Sequence, residues 1–156
     1  MSRFADDKIL ERAVMQYSGM ITRIAFQHTR NKADAEDIAQ DVFFSLIKQP
    51  PFETEVYLKA WLVRAAINKS RDYLRSAKRR NAAALNEEYA LTERDDEVFD
   101  ALQRLPVKDR NILYLFYYEG YTAKEIADII GKKEGAVAMR LTRARENLKT
   151  FLEERQ

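Results

Sequence analysis

The stretch GYTAKEIADIIGKKEGAVAMRLTRAR, Gly120 to Arg145, holds three of the four glycines in the chain, and they punctuate two short apolar repeats. Gly120 follows the repeat of Ile112, Leu113 and Phe116 and can close that helix, because glycine accepts the left-handed conformation that ends one. Thr122 opens the next helix, with Glu125 three residues on as the second half of a T-x-x-E capping box. Ile126, Ala127 and Ile130 supply the buried face of this short helix, and Gly131 permits a tight turn before another. In the last helix Val137, Leu141, Ala144, Leu148 and Leu152 form one apolar stripe, which leaves Ala136, Met139, Arg140, Arg143 and Asn147 pointing away. The pattern reads as a helix-turn-helix. A helix held by one face and offering arginines on the other can enter the DNA major groove, with residues near its N-terminus closest to base edges. The alternative is a plain surface helix in a bundle.

Beyond this stretch, apolar residues recur at helical spacing through nearly the whole chain, and nothing alternates long enough for a strand, so the fold is expected to be all-α. The expected helices are 6–17, 19–29, 32–47, 55–78, 95–105, 107–118, 123–130 and 134–153. QPPFET, Gln49 to Thr54, must interrupt the helices, since consecutive prolines remove backbone donors and bar the α conformation before them. NAAALNEEYALTERDD, Asn81 to Asp96, marks a change of composition and a domain boundary, although it contains neither Gly nor Pro.

With 156 residues, 46% hydrophobic and 33% charged, the chain suits one ordinary domain or two small ones. No apolar run is long enough for a membrane span, and MSRFADDKIL lacks the basic start and apolar core of a secretion signal, so membrane insertion is not expected and the location is expected to be cytoplasmic. The absence of cysteine excludes disulfides, thiolate zinc sites and cysteine nucleophiles. There is no glycine-rich phosphate loop, and the single histidine, His28, near the end of a helix, is most simply favourable to the helix dipole. Neither an enzyme nor a cofactor is therefore expected.

The net charge of +2 conceals a segregation. Arg64, Lys69, Arg71, Arg75, Lys78, Arg79 and Arg80 stand against the single acid Asp72. Glu87 to Asp100 is strongly acidic, and Lys132 to Lys149 is basic again. Two basic surfaces flanking an acidic stretch suit a polyanion bound at two places, or else a solvated surface with chance clustering. On the expected helix 55–78, Leu62, Val63, Ala66, Ile67, Tyr73 and Leu74 cover one side, while Trp61, Arg64, Asn68, Arg71, Arg75 and Arg79 line the other. Arginines one turn apart can follow phosphates, and an asparagine and a tryptophan among them can bond to and stack on exposed bases. Trp61 is equally compatible with a half-buried core position. On helix 32–47, Ala35, Ile38, Ala39, Val42 and Leu46 form the core stripe, opposite Asp37, Gln40 and Phe44 with Asp41 beside them. Acids repel DNA, so this face reads as a protein-binding patch, unless Phe44 is covered within its own domain.

These residues resemble the extracytoplasmic-function (ECF) sigma factors of bacterial RNA polymerase, over nearly the whole chain. DAEDIAQDVF, Asp34 to Phe43, is similar to the family's D-A-E-D-x-x-Q-E-x-F segment of region 2, which docks on the clamp helices of the polymerase's largest subunit. AWLVRAAINKSRDYLR, Ala60 to Arg75, is similar to the segment that recognises and opens the minus-ten element. Leu105 to Arg145 is similar to region 4, which reads the minus-thirty-five element. The resemblance implies two small helical domains: residues 1–80 as region 2, residues 81–94 as linker, and residues 95–156 as the helix-turn-helix of region 4. It also implies a chain of about this length. The implied partners are core RNA polymerase and promoter DNA, with an anti-sigma factor as a further partner that the sequence does not identify. The expected polymerase-binding residues are Asp34, Asp37, Gln40, Asp41 and Phe44. The expected DNA contacts are Trp61, Arg64, Asn68, Arg71 and Arg75 in region 2, and Lys133, Glu134, Ala136, Arg140 and Arg143 in region 4.

The chain also departs from the family. Where members commonly carry Ser-x-Gly-Thr-Val-Lys-Ser-Arg, it has Lys133, Glu134, Gly135, Ala136, Val137, Ala138, Met139 and Arg140, so an N-cap hydroxyl, a threonine and a lysine are missing. Losing such a cap weakens a helix by about 0.5 to 2 kcal/mol. QPPFET is less polar than the loop many members carry where an extruded promoter base is expected to sit, and Phe52 can either stack on such a base or join the core. A stand-alone helix-turn-helix regulator is the competing class. It accounts for the C-terminal third but leaves the arginine stripe and the acidic helix without a common purpose.

Overall fold

The computed structural model describes the backbone of residues 7–81 and 101–154, and the side chains of residues 8–76 and 101–154. The acidic stretch, the linker beyond Asn81, the start of the expected helix 95–105 and the side chains of Lys78, Arg79 and Arg80 lie outside the described residues. Among those described there are helices and turns and no strand. The chain divides into two compact units, Met1–Tyr89 and Ala90–Gln156.

The first unit is built from three helices: α1 (Asp7–Thr29), α2 (Lys32–Ile47) and α3 (Glu55–Asn81), each packed on the other two. The expected break between residues 17 and 19 does not occur, and α1 runs straight through Gly19. Ala13, Tyr17, Met20, Ile21, Ile24, Ala25 and His28 are all buried at helical spacing across that position. A glycine in mid-helix costs about 1 kcal/mol relative to alanine, which one buried isoleucine more than offsets. His28 lies in the last turn, as expected, yet it is packed inside at 7% exposure rather than displayed at the surface. The chain then turns at Arg30, a non-glycine residue with φ of 54°. Its N–H donates to the Phe26 carbonyl, and the Asn31 side chain caps α2 by accepting from the Asp34 N–H at 2.9 Å. After the prolines, Thr54 caps α3 through its hydroxyl, which accepts from the Tyr57 N–H. Glu55 ties that end to α1, accepting from the Tyr17 hydroxyl at 2.6 Å and from Arg12 at 3.1 Å. The α3 core face is Leu58, Leu62, Val63, Ala66 and the fully buried Ser70, with Ile67, Tyr73 and Leu74 half-buried at its border.

In the second unit, residues 101–103 close a helical turn before α4 (Val107–Leu113), α5 (Ala123–Ile130) and α6 (Glu134–Glu154). Arg110 is buried and donates to the Leu105 carbonyl, so a cation satisfies the end of the preceding turn. The helix expected over 107–118 changes pitch at its end. Tyr114 to Tyr118 form a wider turn in which the Glu119 N–H reaches the Tyr114 carbonyl, five residues back, at 3.2 Å. This keeps Leu115 buried, stacks Tyr114 on Tyr118 at 5.0 Å between ring centroids, and leaves Tyr117 and Tyr118 exposed. Gly120 has φ of 79° and Gly131 has φ of 75°, so both chain reversals use the left-handed conformation the glycines permit. Both bonds of the capping box are present: the Thr122 hydroxyl accepts from the Glu125 N–H at 3.1 Å, and the Glu125 carboxylate accepts from the Thr122 N–H at 2.9 Å. The buried face of α5 is Ile126, Ala127 and Ile129; Ile130, expected inside, is half-buried because it stands at the mouth of the Gly131 turn. Val137, Leu141 and Ala144 seat α6 against α4 and α5. Its far end is tied down by Arg104, which pairs with Glu154 at 3.1 Å and lies 4.0 Å from the Phe151 ring centroid.

Candidate polymerase and nucleic-acid interfaces

Because the core stripe of α2 is fully enclosed, its opposite face is left to solvent. Asp37, Gln40, Asp41 and Phe44 are exposed at positions i, i+3, i+4 and i+7, one line along the helix. Phe44 is 63% exposed, and Ile47, one turn further, extends the apolar end of the line at 38%. Ile47 lies outside the expected set, although its spacing from Phe44 points to it. Asp34 is half-buried, and its backbone N–H is engaged by the Asn31 cap.

On α3 the exposed line is Arg64, Asn68, Arg71 and Arg75. The groups hold one another in place: Arg71 donates to Asn68 Oδ1 at 2.8 Å, and Arg75 lies 3.5 Å from Asp72. Trp61 is half-buried, with the Phe52 ring 6.0 Å away and tilted by 53°. The proline loop therefore folds its aromatic residue back onto the start of the cationic face. Phe52 and Trp61 form one aromatic corner where the loop meets the helix.

In the second unit the expected contacts separate. Lys133, Glu134 and Ala136 are exposed at the start of α6, and Arg143 is exposed two turns on. The Lys133 carbonyl accepts from the Val137 N–H at 3.1 Å. Arg140 departs from the expectation of an outward cation. Its guanidinium donates to Asp109 at 2.7 Å, and the side chains of the pair are 36% and 11% exposed. Arg145 stays exposed but is engaged at the surface, donating to the Tyr117 hydroxyl at 3.2 Å with its guanidinium 6.0 Å from the Phe116 ring centroid. Arg143 forms no ion pair with any described residue. Burial and the neighbouring Glu119 and Glu125 carboxylates push the Tyr121 phenol up to about 12, so it stays neutral beside the helix-turn-helix.

The Arg140–Asp109 pair gives a first expected result. Arg140→Ala leaves the Asp109 carboxylate nearly buried without its partner and should destabilise the chain by about 1 to 3 kcal/mol. With the Arg140 guanidinium already engaged by Asp109, the slope of duplex affinity against salt is expected to stay unchanged. Denaturant unfolding and a salt titration of duplex binding check the two halves. A slope reduced by about one would instead assign Arg140 to a phosphate.

Among the described residues no group of His, Asp or Glu is arranged to hold a metal ion, and no helix is long and apolar enough to cross a membrane.

Comparison with known proteins identifies the family. Residues 13–80 match Sigma-70 region 2, and residues 95–148 match Sigma-70 region 4. The chain is 31% identical over 157 residues to the ECF RNA polymerase sigma factor SigM of Mycobacterium tuberculosis, covering 96% of this chain and 78% of that protein. It is 30% identical over 172 residues to SigL of the same species, covering 99% and 97%. CarQ of Myxococcus xanthus, an RNA polymerase sigma factor, is 30% identical over 99% of this chain and 96% of its own length. The fold is also that of the sigma factor RpoE from Bartonella quintana, solved with the anti-sigma factor NepR, at a TM-score of 0.79 and 24% identity over 92% and 96% of the two chains. CnrH, solved with the cytosolic domain of CnrY, gives a TM-score of 0.70 at 23% identity, over 97% and 92%. With both regions in order and full-length relatives at this identity, the chain belongs to the ECF family of RNA polymerase sigma factors, non-enzymatic subunits that recognise promoters.

Proposed function

We propose that residues 1–80 act as region 2 and residues 95–156 as region 4, with three faces dividing the work of initiation. The acidic line Asp34, Asp37, Gln40, Asp41 and Phe44 on α2 docks on core polymerase. Arg64, Asn68, Arg71 and Arg75 on α3, with Trp61 at their head, hold the opened minus-ten strand. Lys133, Glu134, Ala136 and Arg143 on α6 meet the minus-thirty-five duplex. Arg140 keeps α6 in position from behind. The observation that carries this reading is the contrast between adjacent helices of one bundle: α2 exposes carboxylates around a protruding phenylalanine, while α3 exposes arginines around a half-buried tryptophan. One helix repels a polyanion and the other attracts it. The cytoplasm is the location this reading requires, since polymerase and promoters meet there.

The duplex assignment is tested with holoenzyme carrying Lys133→Ala and Arg143→Ala. Closed-promoter binding should weaken, and the salt slope should fall by about 0.9 for each phosphate that is no longer neutralised. Closed binding and slope equal to those of the unmodified holoenzyme would remove α6 from the duplex interface.

A further inference from the structure

The outward face of α6 is unusually poor in hydrogen-bonding groups for a helix that meets DNA. Projected at 100° per residue, its first three turns present Gly135, Ala136, Met139, Thr142 and Arg143 opposite the Val137, Leu141 and Ala144 core stripe. Met139 is 61% exposed and stands at the centre of that face. Nothing lies within 4 Å of the position a Cβ would take at Gly135, so the approach to it is open. Thr142 turns its hydroxyl back to the Ala138 carbonyl at 3.1 Å. Arg140, the residue that would otherwise offer a bidentate donor here, is held by Asp109. Within these turns, donors for base edges come down to Arg143, behind an apolar surface of Ala136 and Met139. Exposed Lys132 and Lys133 next to that surface favour a polyanion over an apolar protein partner.

In the major groove the apolar feature that distinguishes one base from the others is the thymine C5-methyl group, which alanine and other apolar side chains contact. We infer that α6 selects its upstream promoter element by seating thymine methyls against Met139 and Ala136, with Arg143 fixing the register. The inference rests on the assignment of α6 to the duplex and names what that helix reads. Seating one methyl out of water changes affinity about fourfold.

The test uses holoenzyme reconstituted with core polymerase. Promoter fragments with a randomised upstream element are first selected for closed-complex binding. Each thymine of the selected element is then replaced, one at a time, by deoxyuracil, which removes only the methyl, and a uracil outside the element serves as control. At least one replacement should weaken binding about fourfold. Met139→Ser should bind thymine and uracil fragments alike, whereas Met139→Leu should keep the difference, and neither change at so exposed a position should alter the fold. Tolerance of uracil at every position, with Arg143→Ala still weakening binding, would overturn the methyl reading and leave α6 on the duplex. Failure to select any element, with Arg143→Ala and Lys133→Ala both silent, would overturn the duplex assignment and the inference with it.

Discussion

A chain carrying Asp37→Arg and Phe44→Ala is expected to lose affinity for core RNA polymerase by about a hundredfold or more while keeping its helix content. Both side chains lie on the solvent face of α2, one line away from a core stripe that neither touches, so the three-helix bundle has no reason to change. Phe44 is 63% exposed in the free protein, and an aromatic group of that size at the centre of an interface is worth about 2 kcal/mol or more when truncated. Reversing the charge of Asp37 replaces attraction with repulsion across a complementary surface, a change of several kcal/mol in the wrong direction. Competition between labelled and unlabelled chain for core polymerase measures the loss, with circular dichroism as the folding check. Met15→Arg supplies the specificity control: Met15 is 81% exposed on α1, a different helix from the proposed face, and its replacement should leave binding unchanged. A folded double variant that competes as well as the unmodified chain would remove α2 from the polymerase interface.

The second large effect is expected at promoter opening. Trp61→Ala with Asn68→Ala should leave closed-complex binding largely intact, because neither residue carries charge and the counterion-release contribution that dominates duplex affinity survives. Opening should fall by about tenfold to a hundredfold, from the loss of about 1 to 3 kcal/mol for a base stacked on the tryptophan. The geometry refines the choice of controls. Trp61 packs near Phe52, so Trp61→Phe should restore much of the opening if stacking is what matters. Asn68 holds Arg71, so its removal also frees a cation on α3, the helix proposed to hold the opened strand. A pre-melted promoter bubble should not rescue the pair if these residues hold the exposed bases.

Much of this arrangement was legible in the sequence because it is local. The capping box and the two left-handed glycines are each decided within a few residues and stand as the pattern implies, while the α6 stripe is buried at Val137, Leu141 and Ala144 and half-buried at Leu148 and Leu152. The exposed line on α2 follows from the same periodicity as its core. The continuity of α1 was hidden, because Ser18 and Gly19 carry a local signal for a break that tertiary burial outweighs. The widened turn at Tyr114 to Tyr118 was not readable either, since a run of aromatic residues has no spacing that separates one helical pitch from another. Hardest of all was Arg140. Its partner Asp109 stands 31 residues earlier, and nothing in the local pattern of α6 distinguishes an arginine held from behind from one offered to DNA. Glycine, threonine and proline announce backbone geometry, whereas a long-range ion pair becomes visible only once the helices are packed.

The central proposal is that α6 governs the closed complex and α3 the open one. A single promoter fragment probed in parallel by footprinting and by permanganate reactivity of its thymines, with holoenzyme carrying either Lys133→Ala and Arg143→Ala or Trp61→Ala and Asn68→Ala, tests that division most directly. The first pair is predicted to give a weakened upstream footprint, with the complexes that do form opening normally. The second pair is predicted to retain the footprint with reduced thymine reactivity. Equal loss of the footprint by both folded pairs, with no separate deficit in reactivity, would contradict the division.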